Sequence, residues 1–520
     1  MKSRTWVRMT AVSLFAVLLM STGMAAQDSP SQGVKHRHQQ YTLIDVGTFG
    51  GPASYINNPF ALGAPNQINS RGTTVGAAAT PIPSPQNSNT SICEGIDGNT
   101  PFVFHAFMWQ DGVVTDLGSL PGPDNCSVAT SVNEDGEIAG YSENGATDPL
   151  TGIREIRAVR WKDGRIKDLG TFGGNQSLVS NINNRGQIFG EAMNTVLDPY
   201  SLYYNLLGFS TGTQTRAFFW QDGQKQDLGT LGGPDAAAFF GNDRGQVIGG
   251  SYTNSIPNPT TGIPTLDPFL WERGTMIDLG TLGGTDGSAF LLNNRGQVVG
   301  YSNLAGDQTS HPFLWQRGEL TDLFTTTIGG SPITANQLNG DGEIVGGGAF
   351  PGQTFDAYLW KNGFATDLGR LAGDCTSEGV ALNSNEQVIG YSLSCDSHHR
   401  AVLWEGGSMI DLNTVIPGDS GLTLKETLAI NERGQIAGDA APTGCLNYAA
   451  CGHAYILIPS GDCDDDCDGR ILASQNVAEP APSPATVKEG NALPVDLINP
   501  LSNRLMHRHQ LSGQAAATRD

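Results

Sequence analysis

Positive charge is scarce in this chain of 520 residues: 29 Lys and Arg stand against 51 Asp and Glu, a formal net charge of −22. That excludes nucleic acid as a partner, because phosphates demand a basic footprint. It also disfavours binding to anionic lipid. Charged residues of both signs make up only 15% and aromatics 8%, and no long stretch has helical periodicity. Past the N-terminus no apolar run is long enough to cross a bilayer. Catalytic signatures are missing too. No Gly-x-Ser-x-Gly elbow, phosphate loop or dinucleotide fingerprint stands between a strand and a helix. The nine histidines show no zinc spacing such as His-x-x-x-His with a partner. What is abundant is glycine, 68 residues. Many glycines with few charges predict an all-β chain full of tight turns.

The N-terminus reads as a secretory signal peptide over residues 1–26. Lys2, Arg4 and Arg8 precede an apolar stretch from Ala11 to Met20, and Ala25 and Ala26 offer a cleavage site. Cleavage leaves a charge near −25 and no membrane insertion, so the expected location is extracellular or periplasmic. Eight cysteines behind such a leader favour disulfides. They fall as sequence neighbours: Cys93 with Cys126, Cys375 with Cys395, Cys445 with Cys451, and Cys463 with Cys467. Eight cysteines allow 105 connectivities, so this pairing is one hypothesis.

A repeat organises the rest. Eight times an Asn is followed seven residues later by a Gly: Asn69/Gly76, Asn133/Gly140, Asn183/Gly190, Asn242/Gly249, Asn293/Gly300, Asn339/Gly346, Asn383/Gly390 and Asn431/Gly438, with copies 44 to 64 residues apart. A second signature interleaves. Trp109, Trp161, Trp220, Trp271, Trp315, Trp360 and Trp404 each have Gly three residues on and Asp seven on, the aspartates being Asp116, Asp168, Asp227, Asp278, Asp322, Asp367 and Asp411. Asp-Gly or Asn-Gly between apolar runs signals a tight hairpin, since both central residues need φ > 0. In Asn293-Asn294-Arg295-Gly296, Asn opens and Gly closes a second turn. Each unit is therefore four short antiparallel strands, the content of one propeller blade. A β-solenoid would use shorter parallel coils, and separate domains of about 45 residues would be too small to be stable.

The chain ends carry complementary halves. Residues 41–47 hold an Asp strand, with Asp45, but no Trp strand before it; residues 453–458 form a Trp-type strand with no Asp strand after it. Pairing them predicts an eight-bladed β-propeller over residues 40–459, closed as a ring. The strand before the Asn turn is expected innermost. Segments 27–39 and 460–520 read as flexible or disordered, the tail being rich in Ala, Pro and Ser.

The units, with His105-Ala106-Phe107, Asp278-Leu279-Gly280-Thr281-Leu282-Gly283-Gly284 and Asn293 to Gly300, resemble the extracellular repeat family called HAF. The resemblance covers about residues 41–459. It implies a secreted, propeller-like, mainly bacterial protein and no established enzyme activity, so no catalytic residue is carried over. Phe324 and Asn413 replace the Gly after Asp-Leu, and Glu386 replaces the turn Gly.

Repetition itself argues against chemistry, since one active site needs no eight copies. The repeated Asp is expected to cap its own link by accepting backbone N–H bonds, with calcium binding as the alternative. The tryptophans are expected to pack between blades, with a sugar platform as the alternative. Four residues before each Trp stands His105, Arg157, Arg216, Asp267, His311, Asp356 or Arg400, with His453 matching in the last strand. These read as solvated strand starts or as a ring of functional groups. In the tail, Asp464, Asp466, Asp468 and Gly469 match the start of a calcium loop, but position 12 is Gln475, which lacks the bidentate carboxylate. Calcium is accordingly the single cofactor considered. The expected function is a monomeric binding or scaffold module for a glycan or a protein, using variable long loops such as 79–104 and 192–215. A glycan lyase or hydrolase at the central mouth, or a purely structural surface component, is the alternative.

Overall fold

The computed structural model describes residues 40–56, 66–84, 102–122, 124–460 and 472–473. The expected leader, the segment 27–39 and nearly all of the tail lie outside the described residues. The described chain is almost purely β, arranged in seven separate sheets. One of these is eight-stranded and consists of two four-stranded sets touching through a single parallel pair, Leu266 with Asp286. Each set repeats one order. Ser127–Val132, Ile138–Thr147, Arg154–Lys162 and Arg165–Asp168 lie side by side, each antiparallel to the next.

The last set draws a strand from the opposite end of the chain. Tyr41–Asp45 runs antiparallel to His453–Pro459, with Tyr41 opposite Pro459 and Ile44 opposite Ile456. Leu472–Ala473 adds in parallel on the other side of Tyr41–Asp45.

Turn chemistry explains the strand boundaries. In all seven hairpins after a Trp strand, both central residues have positive φ, as at Asp163 (52°) and Gly164 (69°). This is the twist-matched turn that joins short antiparallel strands. In all eight Asn turns the Asn Oδ1 accepts the N–H groups two and four residues on. That leaves the amide Nδ2 free to donate outside the turn.

In seven copies Nδ2 reaches the backbone carbonyl of the Asn in the next unit, at 2.8–3.2 Å. The series runs Asn69 to Asn133, Asn183, Asn242, Asn293 and Asn339, then Asn383 to Asn431, and from Asn431 back to Asn69. Asn339 instead donates to Glu343. A parallel series uses the residue after the Asn in five copies. The N–H groups of Ser70, Glu134, Asn184, Asp243 and Ser384 bond the side chains of Glu134, Asn184, Asp243, Asn294 and Glu432. Gly340 has no side chain to serve as such an acceptor.

The Gly seven residues after each Asn has a different cause. Most first strands carry a register shift opposite it, as between Ala129 and Ser131 or Ala289 and Leu291. The bulge brings the facing carbonyl so close that a Cβ on any of the eight glycines would lie 1.8–2.2 Å from that oxygen.

Packing then joins neighbouring sets. Trp109, Trp161, Trp220, Trp271, Trp360 and Trp404 are buried, and Trp315 is half-buried. Trp161 packs with Val75 and Ala106 of the preceding unit, and Trp271 stacks on Phe219 at 6.2 Å between ring centroids. The expected role between units is what the rings perform. Burying such a ring favours the pairing of sets by about 1.5–3 kcal/mol, on the scale of other large apolar side chains.

Replacing Gly300 with Ala should destabilise the protein by about 1–3 kcal/mol, as overpacking does, because its Cβ would meet the Ser288 carbonyl at 2.1 Å. Gly418→Ala, with nothing within 4 Å, should stay within about 0.5 kcal/mol. Denaturant midpoints of the two variants check this.

Candidate functional site

The repeated polar residues are occupied by structural tasks. The Asp of all seven Asp-Leu pairs, and Asp45 before Val46, accepts the N–H two residues on, from Gly47 after Asp45 to Asn413 after Asp411. Where Gly follows Asp-Leu, it takes positive φ, as at Gly280 (74°). Where Phe324 and Asn413 replace it, the same Asp becomes the N-cap of a short helical turn, Leu323–Thr326 or Leu412–Thr414. The departures therefore preserve the cap and change only the backbone that follows.

The second oxygen of these aspartates meets the residue four before the Trp. His105 lies 3.0 Å from Asp116, Arg216 2.9 Å from Asp227, His311 2.9 Å from Asp322 and His453 3.1 Å from Asp45. These four are thus cross-strand partners of the repeated Asp, whereas Arg157 meets Glu155 at 2.7 Å, Asp356 meets Arg370 at 3.2 Å, and Arg400 meets Asp374 at 2.5 Å and Asp411 only at 3.9 Å. Asp267 faces a like charge in Asp278, and burial followed by that charge pushes its carboxyl up to about 6.

The copies differ at one level of the fold, five residues before and eight after the motif Asn. Residues at these positions face each other across the first two strands: Val128 and Tyr141, Leu178 and Glu191, Ser288 and Tyr301, Glu378 and Tyr391. In the last unit Glu426 faces Asp439. Over the second to fourth units this level is covered by an insertion, residues 199–209, around the short helix Leu202–Leu206. Tyr203 and Tyr204 pack against Val128, Tyr141, Leu178 and Met193, while Leu202 packs against Ala237 and Phe239.

Acids hold the insertion down. Asp235 accepts the Leu202 N–H at 2.7 Å and Asp148 accepts the Tyr204 hydroxyl at 2.5 Å. Burial, chiefly, pushes Asp235 and Glu191 up to about 8. Asp148 behaves oppositely. Burial pushes it up, but the Tyr204 hydroxyl, the Leu150 N–H and the Asn175 amide outweigh that and hold it below its ordinary value.

Over the last two units the level is polar and partly exposed. Glu378 accepts from the Thr334 hydroxyl and the Asn336 amide, both at 2.8 Å, and from the Tyr391 hydroxyl at 2.6 Å. The Tyr391 ring stacks on His399 at 4.8 Å, and His399 Nδ1 lies 3.3 Å from Glu426. Asp439, buried, accepts the Ile56 N–H at 2.8 Å. Burial, then the Glu378 carboxylate, raises the Tyr391 hydroxyl well above its ordinary value; burial, then Asp439 and Glu426, does the same to Tyr455. The phenols therefore stay neutral donors. Glu378, Tyr391, His399 and Glu426 form a continuous polar track across two units, with hydrogen-bonding groups suited to hydroxyls or cations. Aligning the copies on the motif Asn reveals its signal: of the residues five before it, only Glu378 and Glu426 are acidic.

The remaining expected residues divide in two. Cys375 pairs with Cys395 and Cys445 with Cys451, at Cα separations of 5.1 and 5.8 Å. Cys126 is disulfide-bonded, but its expected partner Cys93 lies outside the described residues, as do Cys463, Cys467, Asp464, Asp466 and Asp468. Among the described residues no group of three His, Cys, Asp or Glu is placed to hold a metal ion, and no helix is long and apolar enough to cross a membrane.

No protein-family model and no curated protein matches the sequence. Among solved structures, the chain is similar to the β-propeller domain of the Trilobed protease from Pyrococcus furiosus, with a TM-score of 0.39 and 9% identity, covering 68% of this chain and 98% of that one. It is also similar to a structure from a study of two prolyl endopeptidases, with a TM-score of 0.41 and 9% identity over 66% of this chain and 51% of that one. A puromycin-hydrolyzing peptidase from Mycobacterium tuberculosis follows, with a TM-score of 0.35 and 12% identity over 76% and 61%. The chain thus spans about half and three-fifths of the two peptidases.

The Asp267–Asp278 contact yields a pH-dependent expectation. A carboxyl whose folded pKa exceeds its unfolded value loses stability as pH rises between the two, here from 3.8 to about 6. Asp267→Arg, reproducing the pairing of Arg216 with Asp227, should add about 0.5–1 kcal/mol at pH 7.5, and less at pH 4. Denaturant titrations at the two pH values read this directly.

Proposed function

We propose that the eight units form one closed, eight-bladed β-propeller of the HAF repeat type, and that the protein is a secreted binding or scaffold module for a glycan or a protein. The ring reading is supported by the Asn series returning from Asn431 to Asn69 and by the pairing of Tyr41–Asp45 with His453–Pro459. Secretion is supported by the leader-like N-terminus and by two disulfides.

The binding reading is carried by one observation. The regular polar groups are consumed by the scaffold, while in the partly exposed Glu378–Tyr391–His399–Glu426 track the two acids and the histidine stand where most copies have other residues. Ligand-contacting groups belong on such variable positions of a rigid frame. The same track supports the second reading, a glycan lyase or hydrolase, because it places carboxylates beside an imidazole and a phenol.

Two measurements test this. A glycan array and a pull-down with the mature chain should give a specific hit that Glu426→Gln weakens about tenfold, the loss of one hydrogen bond to a charged group. Absence of any specific hit counts against binding, and polysaccharide depolymerisation that His399→Ala abolishes favours the enzyme. For the ring, Asn431→Asp should cost as much stability as Asn242→Asp, about 1–3 kcal/mol each. A smaller loss at Asn431 would mean that the seam between chain ends carries little of the structure.

A further inference from the structure

One hairpin differs from the rest in charge. Arg154–Lys162 and Arg165–Asp168 are the last two strands of the second unit. Residues 154–167 hold six of the nineteen Lys and Arg between residues 40 and 460, while residues 40–153 hold one, Arg71. Arg160 lies opposite Lys167 and Lys162 opposite Arg165, so all four stand on one face of the hairpin. These positions fall one residue before the Trp and one, four and six after it. In the other six Trp units the matching positions hold a single cation, Lys361; the third unit has Phe219, Gln221, Gln224 and Gln226 there.

The cationic face is turned toward the third unit. The Arg160 guanidinium and the Lys167 ammonium lie over the buried Trp220 ring, 5.1 and 5.3 Å from its centroid. Lys225, opposite Trp220 in the third unit, adds another ammonium. Its Nζ sits over Phe172 and Phe218, 4.7 and 5.6 Å from their centroids, buried and without a hydrogen bond. Burial lowers that ammonium to about 8, with Asp168 opposing the fall and Arg157 adding to it. Acids do not balance this edge. Glu137 takes up Arg160, at 3.5 Å, and Lys162. Among the described residues no carboxylate lies within ion-pair distance of Arg165, Lys167 or Lys225, and Arg165 and Lys167 are exposed.

We infer that this cationic edge between the second and third units binds an acidic glycan, a chain of sugars bearing carboxylates. Along the strands the hairpin cations form two rows about 7 Å apart, two residues of strand. A chain with spaced carboxylates meets both rows, where a lone small anion meets one. Arg165 offers a planar fork that a carboxylate matches with two N–H bonds, and Lys162 and Lys167 add point charges. A dense phosphate chain fits worse. The net charge of −22 repels it, and so few cations neutralise few of its phosphates. At physiological salt that repulsion is screened beyond about 8 Å, which leaves a sparsely charged chain to the local field of the hairpin. The site shares no residue with the Glu378–Glu426 track, so the two readings stand or fall separately.

Isothermal titration of the mature chain with oligogalacturonate, which carries a carboxylate on every sugar, tests it at about 0.15 M salt. Oligogalacturonate should bind, and a neutral glucan of the same length should not. The Arg165→Gln/Lys167→Gln double variant should weaken binding at least about tenfold, the size of one lost hydrogen bond to a charged group. Circular dichroism checks that this variant keeps the native fold. Arg273→Gln/Arg317→Gln removes the same charge from exposed turns of the fourth and fifth units and should leave the affinity unchanged. No binding of oligogalacturonate would overturn the inference. So would an equal loss in the two double variants, because overall charge would then govern binding, or inorganic polyphosphate binding more tightly than oligogalacturonate.

Discussion

The amide of the motif asparagine is the interaction on which the rest depends. Its Oδ1 closes the turn within a unit, and its Nδ2 grips the carbonyl of the following unit. One side chain thus fixes local conformation and relative position of neighbours together. Asp would supply the acceptor and lose the donor; Ser and Thr are too short to do both. That double demand explains why Asn recurs while its neighbours drift, as in Ser70, Glu134, Asn184 and Asp243.

The seam between the sixth and seventh units departs from this scheme. Asn339 turns its amide to Glu343, and the sixth unit's first strand is split into Ser331–Pro332 and Gln337–Leu338. Other contacts hold that seam. The Asn336 amide reaches the Gly379 carbonyl, and Gln337 accepts the Leu382 N–H. The polar track adjoins this place, since Asn336 and Thr334 also bond Glu378. Where the repeat bond is missing, non-repeated side chains both replace it and furnish the candidate site.

A scaffold built this way separates stability from recognition. The turns, capped aspartates and bulge glycines need the same residue in every copy because the backbone problem is the same. The level five before and eight after the Asn solves no common backbone problem, so it carries an apolar cover in some units and acids with a histidine in others. The hairpin ends vary for the same reason.

The four-stranded unit, its two turns and the structural role of the repeated Asp and Trp were legible in the sequence, because each follows from local chemistry: φ at Asp163-Gly164, an Asx bond at Asp278, an apolar ring in a strand. Two disulfides were legible from spacing alone. What only the tertiary structure decided depends on residues far apart in the chain. Asn431 meeting Asn69, Tyr203 reaching Val128, and His399 bridging Tyr391 and Glu426 join positions whose proximity no local pattern encodes. The bulge that makes Gly300 necessary is likewise invisible until its strand finds the facing carbonyl. Short-range preferences determined the unit, and packing between units determined where its variable side chains converge.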